Sequence, residues 1–174
     1  MNEKLRKELL EMEKKDQEVR FYIDEEVKKI QKPSQKLWDK VWEVDSKNTI
    51  RLQEIIKEFG WPTFSLVGKD GARAAWLIVQ HASHESEFQE FCLELLEEAM
   101  LNGEAEKNNY AYLLDRILMN NDEPQVFGTQ FQVLESGDVV SYKIEDFEGL
   151  EERRKKYNLE PFETYKKKMQ NFEK

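Results

Sequence analysis

Ala72 to Glu85 reads ARAAWLIVQHASHE, and the placement of this stretch decides the fold. It is the least polar run in a chain of 174 residues of which 36% are charged. Ala74, Ala75, Trp76, Leu77, Ile78 and Val79 cover the full circumference of a helix, the pattern of a segment surrounded by protein. The last turn of that helix carries Gln80 and His81 into an enclosed region, where an amide and an imidazole need hydrogen-bond partners. A histidine at a helix C-terminus also gains from the macrodipole, which favours its protonated form.

A surrounded helix needs amphipathic neighbours, and the flanking sequence supplies them. Leu5, Leu9, Met12, Val19, Ile23, Val27 and Ile30 recur in threes and fours with one skipped beat, occupied by Asp16. This spacing predicts a helix from Leu5 to Ile30, ended near Lys32 because Pro33 cannot continue the hydrogen-bond ladder. Asp16 is either a buried carboxylate that has found a partner or a solvated group where the helix overhangs its neighbours. A second helix starts with Ser34 as N-cap and runs to Phe59, with Leu37, Val41, Val44, Leu52, Ile55 and Phe59 on one face and Asn48 on its beat. On the adjoining face Trp38, Trp42, Leu52 and Ile56 line up, interrupted by Asp45 and Thr49. Both stripes turn polar at the same level, so Asp16, Asp45 and Asn48 can meet as a buried polar cluster and serve His81.

Gly60 stops the second helix, Trp61-Pro62-Thr63 forces an extended turn, and Phe64 to Val67 is a short strand or a loop packed on the core. Lys69-Asp70-Gly71 reads as a turn before the buried helix at Ala72. Beyond His81, the spacing to His84 would place both rings on one face of an unbroken helix. Ser83 is a plausible N-cap for the next helix, and a break there separates them, so no metal site is assigned. The fourth helix runs from about His84 to Asn102 with Phe88, Phe91, Cys92, Leu95, Leu96 and Ala99 inward. A fifth covers Glu106 to Met119 with Tyr110, Leu113, Leu114, Ile117 and Leu118 inward. Asp115 and Arg116, adjacent on the fifth, reach different partners; Arg116 is either a clamp for a carboxylate or phosphate or half of a surface ion pair.

After the loop at Asn120 to Pro124, alternation and the Glu135-Ser136-Gly137-Asp138 turn predict a β-hairpin with strands of about Val126 to Leu134 and Val139 to Ile144. Gly128 inside the first strand marks a bulge or a close backbone approach that would aim Gln125, Thr129 and Gln130 away from a regular ladder. Glu145 to Lys174 reads as two helical pieces separated by Asn158 to Pro161, anchored by Phe147, Leu150, Phe162, Tyr165 and Met169. The expected fold is therefore mainly α: a single-domain bundle of about six to seven helices with one β-hairpin near residues 126–144.

Composition bounds the function. Ten Phe, six Tyr and four Trp supply a bulky core, and the length suits one domain. A net charge of -9 repels phosphate backbones and anionic lipid. The basic runs Arg153 to Lys156 and Lys166 to Lys168 lie among acidic neighbours and read as solvated helix faces, so neither nucleic acid nor membrane is an expected partner. The lone Cys92 in EFCLELL excludes an internal disulfide and reads as small core, and no run reaches the length of a membrane span, which makes the cytoplasm the default compartment. No segment calls for a cofactor.

In this order, Asp16-Gln17, Asp45 with Asn48-Thr49, Gly60-Trp61-Pro62, Gln80-His81, Tyr110-Ala111 with Asp115-Arg116, and Gln125 with Phe127-Gly128-Thr129-Gln130 form a set of motifs. The set resembles the bacterial family catalogued as domain of unknown function 6624, over about Leu5 to Pro161. The resemblance implies no established activity. It implies that the polar breaks, Gln80 and His81 are motif residues of that family, that His84 is not, and that Phe127 stands where tyrosine is expected.

Two functions fit these residues, and a third, a metal enzyme using His81 with Asp or Glu, shares residues with the first. In the first, His81 is a general acid or base oriented by Asp16, Asp45 or Asp115, while Gln80, Asn48, Arg116, Gln125, Thr129 and Gln130 position a small-molecule ligand that is anionic or amide-bearing. The chain has no serine elbow, activated cysteine or glycine-rich phosphate loop, so hydrolysis or proton transfer would use water or a substrate group. In the second, the polar core is structural and the acidic surface meets a protein partner, as in an interaction or immunity-type module.

Overall fold

The computed structural model describes residues 1–30, 34–134 and 136–172. The described residues form seven helices and one two-stranded antiparallel hairpin: α1 Glu3–Ile30, α2 Gln35–Phe59, α3 Phe64–His81, α4 Ser86–Leu101, α5 Lys107–Asn120, β1 Phe131–Val133, β2 Val139–Ser141, α6 Leu150–Lys156 and α7 Phe162–Phe172. The expected stop at Lys32 and Pro33, and Glu135 of the hairpin turn, lie outside the described residues.

Helix α3 packs against α1, α2, α4 and α5. Its Val67, Ala74, Ala75, Ile78 and Val79 are buried with Leu5, Leu9 and Met12 of α1, Leu52, Ile55 and Ile56 of α2, Cys92 and Leu96 of α4, and Leu113 and Ile117 of α5. The enclosure is not complete, however. Arg73 opens to solvent and pairs with Glu13 of α1, and Trp76 and Leu77 are only half-buried. Ala72, Ala74 and Ala75 are small buried side chains on α3, whose most extensive packing is against α1.

Three boundaries differ from the periodicity reading. Phe64 to Val67 is neither strand nor loop but the first turn of α3, capped by Thr63, whose side chain accepts from Leu66 N–H at 3.3 Å. The helix then kinks at Gly68, where φ 74° and ψ 168° put the backbone in a region that only glycine enters without strain. Lys69 to Gly71 is consequently helical instead of a turn. Asp70 receives Arg6 of α1 at 2.8 Å, fixing the register of the two helices. At the other end, the N-cap position of α4 is Glu85 and not Ser83, and Phe91 faces solvent on that helix. Trp38 and Trp42 of α2 are likewise exposed, at 48% and 59%, whereas Leu37 and Val41 on the neighbouring stripe are buried.

The hairpin is shorter than alternation predicts. Only Phe131 to Val133 pairs with Val139 to Ser141, while Gln125 to Gln130 makes no regular ladder, apart from an isolated bridge between Gln125 and Ile144. Buried side chains take up that segment's backbone groups, as described below. The C-terminal pieces form α6 and α7 with Asn158 at φ 57° between them, but Phe147 is 62% exposed and meets the Phe162 ring edge to face, 5.7 Å between centroids. The run Arg153 to Lys156 is not simply a solvated face. Arg154 is fully buried, and Arg153 reaches Val126 O at 3.0 Å and Asp146 Oδ2 at 2.8 Å. Among the described residues no helix is long and apolar enough to cross a membrane.

Candidate functional site

The skipped beat of α1 meets the end of α3. Asp16 is 1% exposed, and His81 Nδ1 lies 2.9 and 3.0 Å from its two carboxylate oxygens. Arg20, one turn further along α1, donates from Nη1 to Asp16 Oδ1 at 2.8 Å and from Nη2 to both oxygens of Asp45 on α2, at 3.0 and 2.9 Å. Gln17 Nε2 adds a bond at 2.8 Å. Three helices thus contribute to one chain of contacts, His81 to Asp16 to Arg20 to Asp45. Burial alone would raise the Asp16 carboxyl, but the bond and charge of His81, the charge of Arg20 and the bond from Gln17 together hold it below the ordinary value. At neutral pH Asp16 is therefore an anion that can only accept, so the proton in the contact belongs to His81 Nδ1, and Nε2 is the ring nitrogen left outside it.

His81 keeps 19% of its side chain exposed and borders a cavity of about 440 Å³, shared with Trp38, Trp42, Asp45, Ser83 and His84. The break after α3 takes His84 off that helix and sets its ring against Trp42 at a tilt of 58°, ring centroids 4.7 Å apart. The two histidines thus border one cavity from different elements. A larger depression of about 610 Å³, near Trp61, Leu66, Leu95 and Glu104, shares no residue with this cluster.

The other motif residues fall into two groups. Asn48 is buried but does not join the chain of contacts; its Nδ2 donates to Met12 O at 3.3 Å and ties α2 to α1. Asp115, on α5, is fully buried and turned toward the loop after that helix. Its carboxylate accepts from the N–H of Val126 at 2.8 Å, of Phe127 at 3.0 Å and of Thr129 at 2.9 Å, and from Thr129 Oγ1 at 2.9 Å. Burial pushes that carboxyl up from its ordinary value, against the pull of these donors.

Gln125 completes the loop. Its Nε2 donates to Gln130 O at 3.1 Å and Tyr142 O at 2.9 Å, and its Oε1 accepts from Gln130 N–H at 2.9 Å. Gln130 Nε2 in turn donates to Thr129 Oγ1 at 2.9 Å. These side chains stand in for a β-ladder, and Gly128, at φ 65° with a Phe162 ring carbon only 2.9 Å from where a Cβ would sit, allows the turn.

Gln80 and Arg116 behave differently. Gln80 Nε2 is 3.4 Å from Tyr112 O, while its Oε1 is buried without a hydrogen-bond partner. Arg116, one turn beyond Tyr112 on α5, has no partner for its buried Nε, and burial foremost, with Arg20 adding a like charge, draws its guanidinium below the ordinary value. The sequence reading missed Arg20, although its i,i+4 relation to Asp16 was available, and it placed Trp38 and Trp42 toward the core instead of on the cavity.

A sequence model described as a family of unknown function (DUF6624) matches residues 3–172, and the chain belongs to that family. Neither the curated proteins nor the solved structures give a match.

Proposed function

We propose that this member of the family carries a small-ligand or enzymatic site for hydrolysis or proton transfer, with His81 as general base or acid and Asp16 as the group that orients it. The observation that carries the reading is the contact of His81 Nδ1 with the buried Asp16 carboxylate while the ring borders a cavity. In this arrangement the Nε2 lone pair can take a proton from a water or a substrate group, and the adjacent carboxylate stabilises the imidazolium that forms. Arg20 and Asp45 keep Asp16 in place during the transfer. Cys92 is buried, and burial pushes its thiol well above the ordinary value, so it is not a nucleophile. Water is then the attacking species in hydrolysis. Asp115, Gln125 and Thr129 act by shaping the loop, and the ligand is anionic or amide-bearing.

The test uses chromogenic model substrates: p-nitrophenyl acetate, p-nitrophenyl phosphate and bis(p-nitrophenyl) phosphate. The expected result is turnover of one of them that falls by about 10²–10⁴ in a folded His81→Asn variant. A rate unchanged in that variant, or no rate with any of the three, contradicts the enzymatic reading.

One observation favours a non-enzymatic interaction or immunity-type module instead. Phe21, Tyr22, Trp38 and Trp42 are all more than 45% exposed on α1 and α2. Under that reading Trp38→Ser with Trp42→Ser abolishes binding of a protein partner while His81→Asn leaves it intact.

A further inference from the structure

Among the described residues two arginines, the fully buried Arg154 and the half-buried Arg116, make no ion pair with a carboxylate, and they are satisfied to different degrees. Arg154 donates from Nε to the carbonyl of Glu160 at 2.8 Å and from Nη1 to those of Phe127 at 2.6 Å and Gly128 at 3.2 Å, leaving only its Nη2 buried without an acceptor. Its guanidinium also lies over the rings of Phe162 and Tyr165, at 5.7 and 5.2 Å. That is how a folded chain accommodates a structural buried arginine: carbonyl oxygens in the plane and aromatic faces above it.

Arg116 has neither. Among the described residues it makes no hydrogen bond or ion pair, and its Nε is sealed from solvent without an acceptor. The groups whose charge acts on it are Arg20, of the same sign, and the phenols of Tyr142 and Tyr165. Tyr165 cannot supply a negative charge, since burial pushes its phenol up and its hydroxyl is already directed at Thr129 O, 3.3 Å away. The neighbouring carboxylates are committed: Asp115 to the loop at Val126 to Thr129, Asp16 and Asp45 to Arg20. A half-buried cation that has one N–H sealed from any acceptor and feels a second positive charge is unfavourable in the free protein and becomes favourable when an anion binds it. Gln80, whose Oε1 also lacks a partner, is held on the carbonyl one turn before Arg116, and Arg20, whose charge acts on Arg116, itself bonds the Asp16 that holds His81.

We infer that Arg116, with Arg20 contributing its charge, seats an oxyanion, a phosphate or carboxylate group, of the molecule on which His81 acts. The link to His81 rests on the function proposed above; the anion seat does not. A planar guanidinium grips two oxygens of either group, and the unfilled Gln80 acceptor receives an N–H or O–H beside the anion.

Melting temperature of the full chain is measured in chloride buffer alone, with added inorganic phosphate, with added acetate, and with sodium chloride at matched ionic strength. Wild type, Arg116→Met and His81→Asn are compared. Phosphate or acetate is expected to raise the wild-type midpoint by about 3 °C or more at roughly ten times its dissociation constant, and sodium chloride is not. A rise with phosphate alone assigns a phosphoryl group, and one with acetate alone a carboxylate. Arg116→Met is expected to lose the rise and, without anion, to melt at or above wild type, because it removes the unpaired charge. His81→Asn is expected to keep the rise, so an intact seat without His81-dependent turnover separates failure of the catalytic reading from failure of this one. The assignment is overturned if neither anion acts, if sodium chloride acts equally, if Arg116→Met keeps the rise, or if that variant melts several degrees below wild type in chloride alone.

Discussion

Replacing Asp115 by alanine tests whether that carboxylate shapes the loop or takes part in the chemistry. Asp115 is fully buried, and it is the acceptor for three backbone N–H groups, of Val126, Phe127 and Thr129, and for the Thr129 hydroxyl. Each buried donor left without an acceptor costs about 1–3 kcal/mol. Four at the lower bound give about 4 kcal/mol, a large share of a total stability of about 5–15 kcal/mol. The four tryptophans report unfolding in urea by fluorescence. With a slope of about 2 kcal/mol per molar, the midpoint should fall by about 2 M. Asp115→Asn should cost less, about 2 kcal/mol, because one amide oxygen still faces Val126 and Phe127 while the NH₂ opposes the N–H of Thr129. An alanine variant within about 1 kcal/mol of wild type would refute the structural role. An asparagine variant of full stability that has lost turnover would return Asp115 to the chemistry.

Other perturbations should move as follows. Because its partners hold the Asp16 carboxyl below its ordinary value of 3.8, its stabilisation is present above that pH and is lost as pH falls through the lower folded-state value. Asp16→Asn should therefore flatten the acid limb of a melting-temperature profile between pH 2 and 5, and an unchanged limb would contradict the contacts described. Gly128→Ala places a Cβ 2.9 Å from the Phe162 ring at φ 65°, so calorimetry should show a loss of about 1–3 kcal/mol; a neutral substitution would mean the loop turns otherwise. Arg154→Met strips three carbonyls of their donor and should destabilise by about 3 kcal/mol in urea unfolding, opposite in sign to Arg116→Met; equal signs would dissolve the distinction between the two arginines.

Much of this architecture could be read from apolar spacing. The stripes of Leu5, Leu9 and Met12 and of Leu37, Val41, Leu52 and Ile55 gave the first two helices, and the skipped beat at Asp16 pointed to a buried carboxylate. Spacing cannot say which way the open side of a helix faces, and so Trp38, Trp42 and Phe91 were assigned to the core although no neighbour covers them. Alternation in Val126 to Leu134 is a local signal, whereas Asp115 and Gln125 compete for the same backbone groups from outside the strand and win them. Charge runs mislead for a similar reason: Arg154 looks solvated among its neighbours until the carbonyls of the loop and of Glu160 are brought to it by the fold. Arg20 has no periodic signature, because it lies between Val19 and Phe21 and off the stripe that carries Leu9, Met12 and Asp16; only its i,i+4 spacing from Asp16 marks it.

A general base at His81 needs its proton on Nδ1, against Asp16, and not on Nε2. Two-bond ¹⁵N–¹H correlation spectra at pH 8, assigned by comparison with His84→Gln, report the protonated nitrogen for each of the two histidines. The contact with Asp16 predicts that neutral His81 is protonated on Nδ1, with Nε2 bare toward the cavity, and that Asp16→Asn shifts the population toward the Nε2–H form. Wild-type His81 protonated on Nε2 would contradict it.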